Sequence, residues 1–193
     1  MNAINIGQLV EEILRNHPNP LPEHDLRTDT FKGDASAAIF SICGLYRYVL
    51  IRVWDPLKPL WLFAMLNPSV ASEKSGDPTV DRQVERARRH GAGGIVVINA
   101  GGLIETNRKK AIRHDDPIGP DNEALARPFV EAADKIVVAY GADAGRFGGE
   151  KLLARLLEGR EVMALRKTKK GYPGHPLYIA YAQPLIPFTM PAV

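Results

Sequence analysis

Apolar residues among the first forty positions recur at helical spacing over Ile6 to Asn16, and the proline-rich stretch His17 to Pro22 cannot continue that helix, because proline lacks an N–H and clashes with the preceding turn. From Tyr46 the pattern changes. Tyr46 to Trp54 and Leu60 to Leu66 are apolar runs of strand length, separated by a turn carrying Asp55-Pro56 and Pro59, and they predict an antiparallel pair. Beyond Leu66, helical and strand periods alternate. Pro78 to His90 predicts a helix with Asp77 as its cap and Gly91 as its end, and Ile95 to Asn99 a short buried strand. Asn122 to Ala133, carrying Pro128, predicts a second helix, Lys135 to Tyr140 a strand, Gly149 to Glu158 a third helix, and Glu161 to Leu165 the last strand.

Parallel strands cannot be joined by tight hairpins, so strands that alternate with helices predict an α/β protein. The expected architecture is three-layer αβα, with a central, mainly parallel four-stranded sheet plus an N-terminal antiparallel strand pair. Residues 1–45 read as an N-terminal extension with one helix, and residues 46–193 as a single α/β domain. Loops that follow the strand C-termini should build the site, since ligands of open α/β sheets bind at that edge. The stretch Ala100 to Asp121 is longer than a connection needs and reads as a lid or binding loop.

Composition narrows the class. With 45% hydrophobic and 24% charged residues, the 193-residue chain can bury a core and is not of disordered type. Its apolar runs are too short to cross a bilayer, and Met1 to Val10 lacks a basic region followed by an apolar core. Cys43 is the single cysteine, which excludes an intramolecular disulfide and a zinc ribbon and fits a reducing cytoplasm. A cytoplasmic protein with no membrane partner is the expectation. The formal charge of +3 favours a polyanion only weakly. Its basic residues are nevertheless grouped: Arg82, Arg86, Arg88 and Arg89; Arg108, Lys109, Lys110 and Arg113; Arg166, Lys167, Lys169 and Lys170. Each group is either a solvated face or a phosphate-binding surface.

Candidate chemistry sits at the predicted strand ends. Asn67-Pro68-Ser69 follows the apolar run ending at Leu66; the proline holds Asn67 at the strand end, where its amide either satisfies a turn or orients a water or substrate. Asp77 is either a helix cap or a water-activating carboxylate. Asn99 precedes Ala100-Gly101-Gly102 and is either a structural turn residue or one that offers both a donor and an acceptor to a planar amide edge, with glycines that permit close backbone approach. Tyr140-Gly141 closes the third strand of the predicted parallel sheet. The stretch Thr168 to Tyr178 surrounds His175-Pro176 with Lys169, Lys170, Tyr172 and Gly174, a mixture able to place an imidazole against a developing oxyanion while lysines meet phosphate. No metal-ligand spacing, phosphate-cradling loop or dinucleotide fingerprint is present, so neither a metal nor a cofactor is expected.

In order, Arg47-Tyr48 with Arg52-Val53-Trp54, Met65 to Ser69, Asp77 to Val80, Gly94 to Asn99, Tyr140-Gly141 and Thr168 through Tyr178 resemble a bacterial and phage family, domain of unknown function 1643. That resemblance brings no activity. More remotely, the strand ends are similar to those of the uracil-DNA glycosylase superfamily: an Asn/Asp-Pro motif, an Asn, an aromatic-Gly pair and a His-Pro motif. This second resemblance implies a glycosylase-like fold and a metal-free, cofactor-free cleavage of an N-glycosidic bond in a flipped base. It implies that Asn67 positions water or sugar, Asn99 reads the base, His175 stabilises charge on the departing base, and Leu177 or Tyr178 wedges into the stack. Leu177 stands where that superfamily usually has Ser, and Tyr140 where it usually has Trp.

The expectation is therefore a glycosylase-like hydrolase acting on a modified or uracil-like base. Catalysis would fall to Asn67, Asp77 and His175, and substrate binding to Pro68, Ser69, Asn99, Tyr140, Gly141, Leu177 and Tyr178. Lys167, Lys169, Lys170, Arg108 and Lys109 would contact DNA or a nucleotide. The alternatives are a non-catalytic nucleic-acid or nucleotide-binding module, and a small-molecule hydrolase using Asp77 and His175.

Overall fold

The computed structural model describes residues 4–177 and 179–192. Among them, strands β1 (Asp25–Phe31), β2 (Asp34–Phe40), β3 (Arg47–Val53), β4 (Leu60–Met65), β5 (Gly94–Asn99), β6 (Lys135–Val138), β7 (Val162–Ala164) and β8 (Ile186–Pro187) form one mixed sheet in the order β1-β2-β3-β5-β4-β6-β7-β8. β5, β4, β6 and β7 are parallel neighbours, and the remaining pairings are antiparallel. The α-helices are α1 (Ile6–Arg15), α2 (Pro78–Arg89), α3 (Arg108–Arg113), α4 (Asn122–Ala132) and α5 (Gly149–Leu156).

Helices lie on both faces because the central strands carry apolar residues at successive positions. Val96 and Ile98 pack with α1, α4 and α5, while Ile95 and Val97 pack with Val80 and Ala87 of α2. Successive side chains of a strand point to opposite faces, so an uninterrupted run such as Ile95 to Ile98 requires cover on both. Pro128 sits inside α4, fully within the core.

The predicted pairing of Tyr46 to Trp54 with Leu60 to Leu66 is not formed: β5 lies between β3 and β4. The 54–59 connection crosses the start of β5, where the N–H groups of Trp54 and Asp55 both donate to Gly93 O, and Gly93 N–H donates to Pro59 O. A side chain at Gly93 would put a carbon 1.8 Å from Asp55 O, so this crossing needs glycine.

Before Tyr46 the structure adds a hairpin to the predicted helix. β1 and β2 extend the same sheet through β3, and Ile6, Val10 and Leu14 of α1 join its core. The hairpin turns at Lys32-Gly33, both with positive φ (53° and 85°), as a two-residue turn compatible with strand twist demands. Lysine is an uncommon first residue for such a turn, and β1 buries little, which removes the usual strand signal.

Among the described residues three arginines, Arg47, Arg52 and Arg86, are buried. Arg86 of α2 is 2% exposed and donates to the carbonyls of Ile179 (3.1 Å), Ala180 (2.8 Å), Tyr181 (3.0 Å) and Gln183 (3.2 Å). Arg88 pairs with Asp34 and Arg89 with Glu85. The first basic group is thus largely occupied in holding the fold. Replacing Arg86 by Met leaves those carbonyls without their donor, so we expect unfolding free energy to fall by on the order of 3 kcal/mol. Urea unfolding measures the loss, and limited proteolysis should cut residues 179–192 first; a loss below about 1 kcal/mol would contradict this anchoring role.

Candidate functional site

Segments leaving the C-terminal ends of four parallel strands converge on a cleft of about 370 Å3. Met65, Leu66, Asn67 and Ser69 come from the end of β4, Asn99 is the last residue of β5, Tyr140 to Asp143 follow β6, and His175 closes the segment after β7. Parallel strands deliver all these ends to one sheet edge. Asp77, Thr79, Val80 and Gln83 from the start of α2, Glu105 and Thr106 from the Ala100 to Asp121 segment, and Arg47 of β3 complete most of the lining.

Asn67 has both amide hydrogens engaged, donating to Pro68 O (2.9 Å) and Glu105 O (2.7 Å). It ties the β4 loop to the segment after β5 and can offer a ligand only its Oδ1 as an acceptor. Pro68 is buried, lies outside the cleft lining, and accepts from Glu105 N–H at 3.3 Å. Asp77 is an N-cap: Oδ1 accepts from Thr79 N–H (2.8 Å) and Val80 N–H (2.9 Å), with Pro78 in the first helical turn. It also lines the cleft, so the two readings of this residue coincide in place.

Asn99, Gln83 and Arg47 form the most unusual part of the cleft. They are 2%, 1% and 2% exposed, yet Asn99 Nδ2, Gln83 Oε1 and Arg47 Nε have no hydrogen-bond partner among the described residues. Buried polar atoms are satisfied in the great majority of cases, and these three belong to side chains that line one cleft, while Tyr48, Glu73, Arg82 and Asn122 carry further unpartnered atoms away from its lining. Gln83 Nε2 points at the thioether of Met65, 3.0 Å away, and Arg47 also donates to Ala71 O. Burial pushes the Arg47 guanidinium down to about 10, opposed by Asp77, and it remains a cation at neutral pH.

Tyr140 is buried, its hydroxyl donates to Glu150 (3.3 Å), and burial together with that carboxylate pushes its pKa up. Gly141 adopts φ 70° and ψ −170°, a conformation for glycine, and its N–H donates to Pro173 O (3.1 Å), which fastens the His175 segment to the end of β6. His175 is exposed at the rim, with Nδ1 accepting from Leu177 N–H at 3.4 Å. Leu177 is half-buried and outside the lining. Tyr178 lies outside the described residues.

Gly101 and Gly102 let this protein's own chain approach. Side-chain carbons there would meet Pro117 O at 2.6 Å and Ile118 O at 2.8 Å, and Gly102 N–H donates to Ile118 O (2.8 Å). This pairing closes the neck of the segment that carries Glu105, Thr106 and α3. Lys109 is exposed in α3, which opens at Arg108. In the segment that carries His175, Lys169 and Lys170 are exposed in a turn, and Lys167 stands 5.4 Å from the Phe188 ring, its backbone bridged to Pro173. Among the described residues no three His, Cys, Asp or Glu side chains converge as a metal site.

Arg47, Gln83, Glu105 and Asp143 were not singled out from sequence chemistry. Two had a readable signal: Arg47 is a charge opening a fully buried strand, and Gln83 occupies the apolar face of α2 three residues after Val80.

The family model for a protein of unknown function, DUF1643, matches residues 47–177. No curated protein matches the chain. The match spans all the lining residues of the cleft, and the remoter likeness to the uracil-DNA glycosylase superfamily draws no support from it.

Capping and any chemical role of Asp77 are separable. Asp77→Ala should lower stability by about 1 kcal/mol and Asp77→Asn hardly at all, as read by chemical unfolding, because Asn caps nearly as well as Asp. A comparable loss in both variants would mean that the charge beside Arg47, rather than the cap, is what matters.

Proposed function

We propose for this chain, which belongs to the DUF1643 family of proteins of unknown function, hydrolysis of the N-glycosidic bond of a uracil-like base without metal or cofactor. The observation that carries this reading is the pair of buried, unpartnered amide atoms in one cleft, Asn99 Nδ2 as donor and Gln83 Oε1 as acceptor. Adjacent carbonyl and N–H groups on a pyrimidine ring are complementary to such a pair, and the cleft volume of about 370 Å3 suits a base with part of its sugar.

In this scheme water attacks the anomeric carbon, the C–N bond breaks with its electron pair passing to the base, and a proton leaves the water. Asn67 Oδ1 accepts a hydrogen bond from the attacking water, its N–H groups being held by Pro68 and Glu105. Asp77, one oxygen of which caps α2, presents the other as proton acceptor. His175, at the cleft rim, hydrogen-bonds the base as negative charge develops. Charge distribution favours a base over a phosphate inside the cleft, since Asp77, Glu105 and Asp143 are among its lining while the exposed Lys109, Lys169 and Lys170 stand on the segments that border it.

The test is incubation with labelled single- and double-stranded DNAs carrying uracil, hydroxymethyluracil or hypoxanthine, followed by alkaline cleavage at abasic sites. Breaks at one base are expected, with His175→Ala losing about 100-fold in kcat while retaining DNA affinity. Replacing Lys169 and Lys170 by Gln should flatten the salt dependence of binding by about one to two units of slope. Salt-sensitive binding with no abasic sites from any base would leave a binding module and sink the catalytic reading.

A further inference from the structure

We propose that Arg47 receives the negative charge of the departing base, acting as a catalytic residue from the floor of the cleft. The inference rests on the base-cleavage reading and adds to it the electronic character of the ligand: a planar heterocycle that leaves as an anion.

Arg47 opens β3, a strand whose seven residues are all buried, so its guanidinium cannot reach bulk water as surface arginines do. It forms no ion pair among the described residues. A cation withdrawn from water without a bonded counter-ion is costly, and structures keep one only where something else meets the charge. Ala71 O meets one terminal nitrogen. Nε meets nothing, although Arg47 shares the cleft lining with Asn99 and Gln83.

Arg52, five residues further along β3, has a different set of partners. Arg52 donates to Ser36 Oγ, Ile51 O (3.2 Å), Ser72 O (2.6 Å) and Ser75 O (2.9 Å), a set that accounts for it as a structural anchor. Arg47 has only the Ala71 contact in common with that role, and unlike Arg52 it lines the cleft. The charged groups around it are Asp77 and Arg52, with Glu105, Asp143 and His175 elsewhere on the cleft wall. Asp77 Oδ1 is turned to the N-terminus of α2, which spreads its charge over two backbone N–H groups.

When the C–N bond breaks, the electron pair delocalises into the ring carbonyls. The Arg47 guanidinium lines the cleft as a fixed positive charge, and the low dielectric of a buried floor strengthens its attraction for the charge that develops. Arg47 would act from inside the cleft and His175 from its rim.

The charge can be tested without turnover. Uracil is neutral at pH 7, whereas barbiturate has the same planar imide edge and is an anion there. Titration calorimetry of the intact protein should find barbiturate bound at least tenfold more tightly than uracil. Arg47→Met should abolish that preference, and Arg47→Lys, which keeps a positive charge but loses the Nε–H, should retain part of it. Circular dichroism checks that each variant folds; should Arg47→Met fail to fold, the wild-type preference together with Arg47→Lys decides. Uracil bound as tightly as barbiturate, or a preference untouched by either substitution, would overturn the role of Arg47 and leave the base-binding reading standing. If neither ring binds, the cleft is not a base site and both fall.

Discussion

Backbone carbonyls in loops packed against a sheet must find donors once water is excluded, and here three buried guanidinium groups reach them. Arg52 holds the carbonyls of Ser72 and Ser75, Arg47 that of Ala71, and Arg86 those of Ile179, Ala180, Tyr181 and Gln183. The segments so held are irregular, yet they lie close beside the cleft: one runs from Ser69 to Asp77, and the other follows His175. Charge-assisted hydrogen bonds to carbonyls thereby give loops part of the rigidity that helices and strands obtain from their own ladders. The arrangement demands arginine, because several donors in a planar fork are needed and lysine offers a single point of charge.

The parallel quartet β5-β4-β6-β7 determines where those loops can act. Since the four C-terminal ends share an edge, the chain brings amide, aromatic, carboxylate and imidazole groups together although they lie up to 108 positions apart, from Asn67 to His175. Cross-links between the loops keep the edge assembled. Asn67 holds Glu105 O, Gly141 holds Pro173 O, and the glycine pair after Asn99 lets the long segment close its own neck. Side chains that looked like reagents in isolation therefore serve as fasteners: Asn67 joins two loops and Asp77 caps α2, both from the cleft lining.

Electrostatics divides the site by depth. Carboxylates and neutral amides line the cleft, Arg47 is buried at its floor, and exposed lysines stand on bordering segments. A ligand with a neutral or incipiently anionic ring and phosphates held outside matches that gradient better than one whose phosphate must enter between Asp77, Glu105 and Asp143.

Much of this was legible in the chain. The alternation after Leu66 determined the α/β class and the parallel strands, since apolar runs buried on both faces and joined by amphipathic segments admit few other arrangements. Placing Asn67, Asn99 and Tyr140 at strand ends, and His175 in the segment that follows the last parallel strand, followed directly, because glycine, proline and amides interrupt the apolar runs there. The β1-β2 hairpin stayed hidden, its outer strand burying little and its turn opening with lysine. That β5 would part β3 from β4 depended on the 54–59 segment crossing at Gly93, a contact between residues some 38 positions apart, from Asp55 to Gly93. Only the tertiary structure could decide which polar side chains are already satisfied: it engaged Asn67 and Arg86 with carbonyls and left Asn99, Gln83 and Arg47 with atoms unmet. Local sequence specifies which groups a residue can offer, but whether a partner meets them depends on chain that arrives from far away.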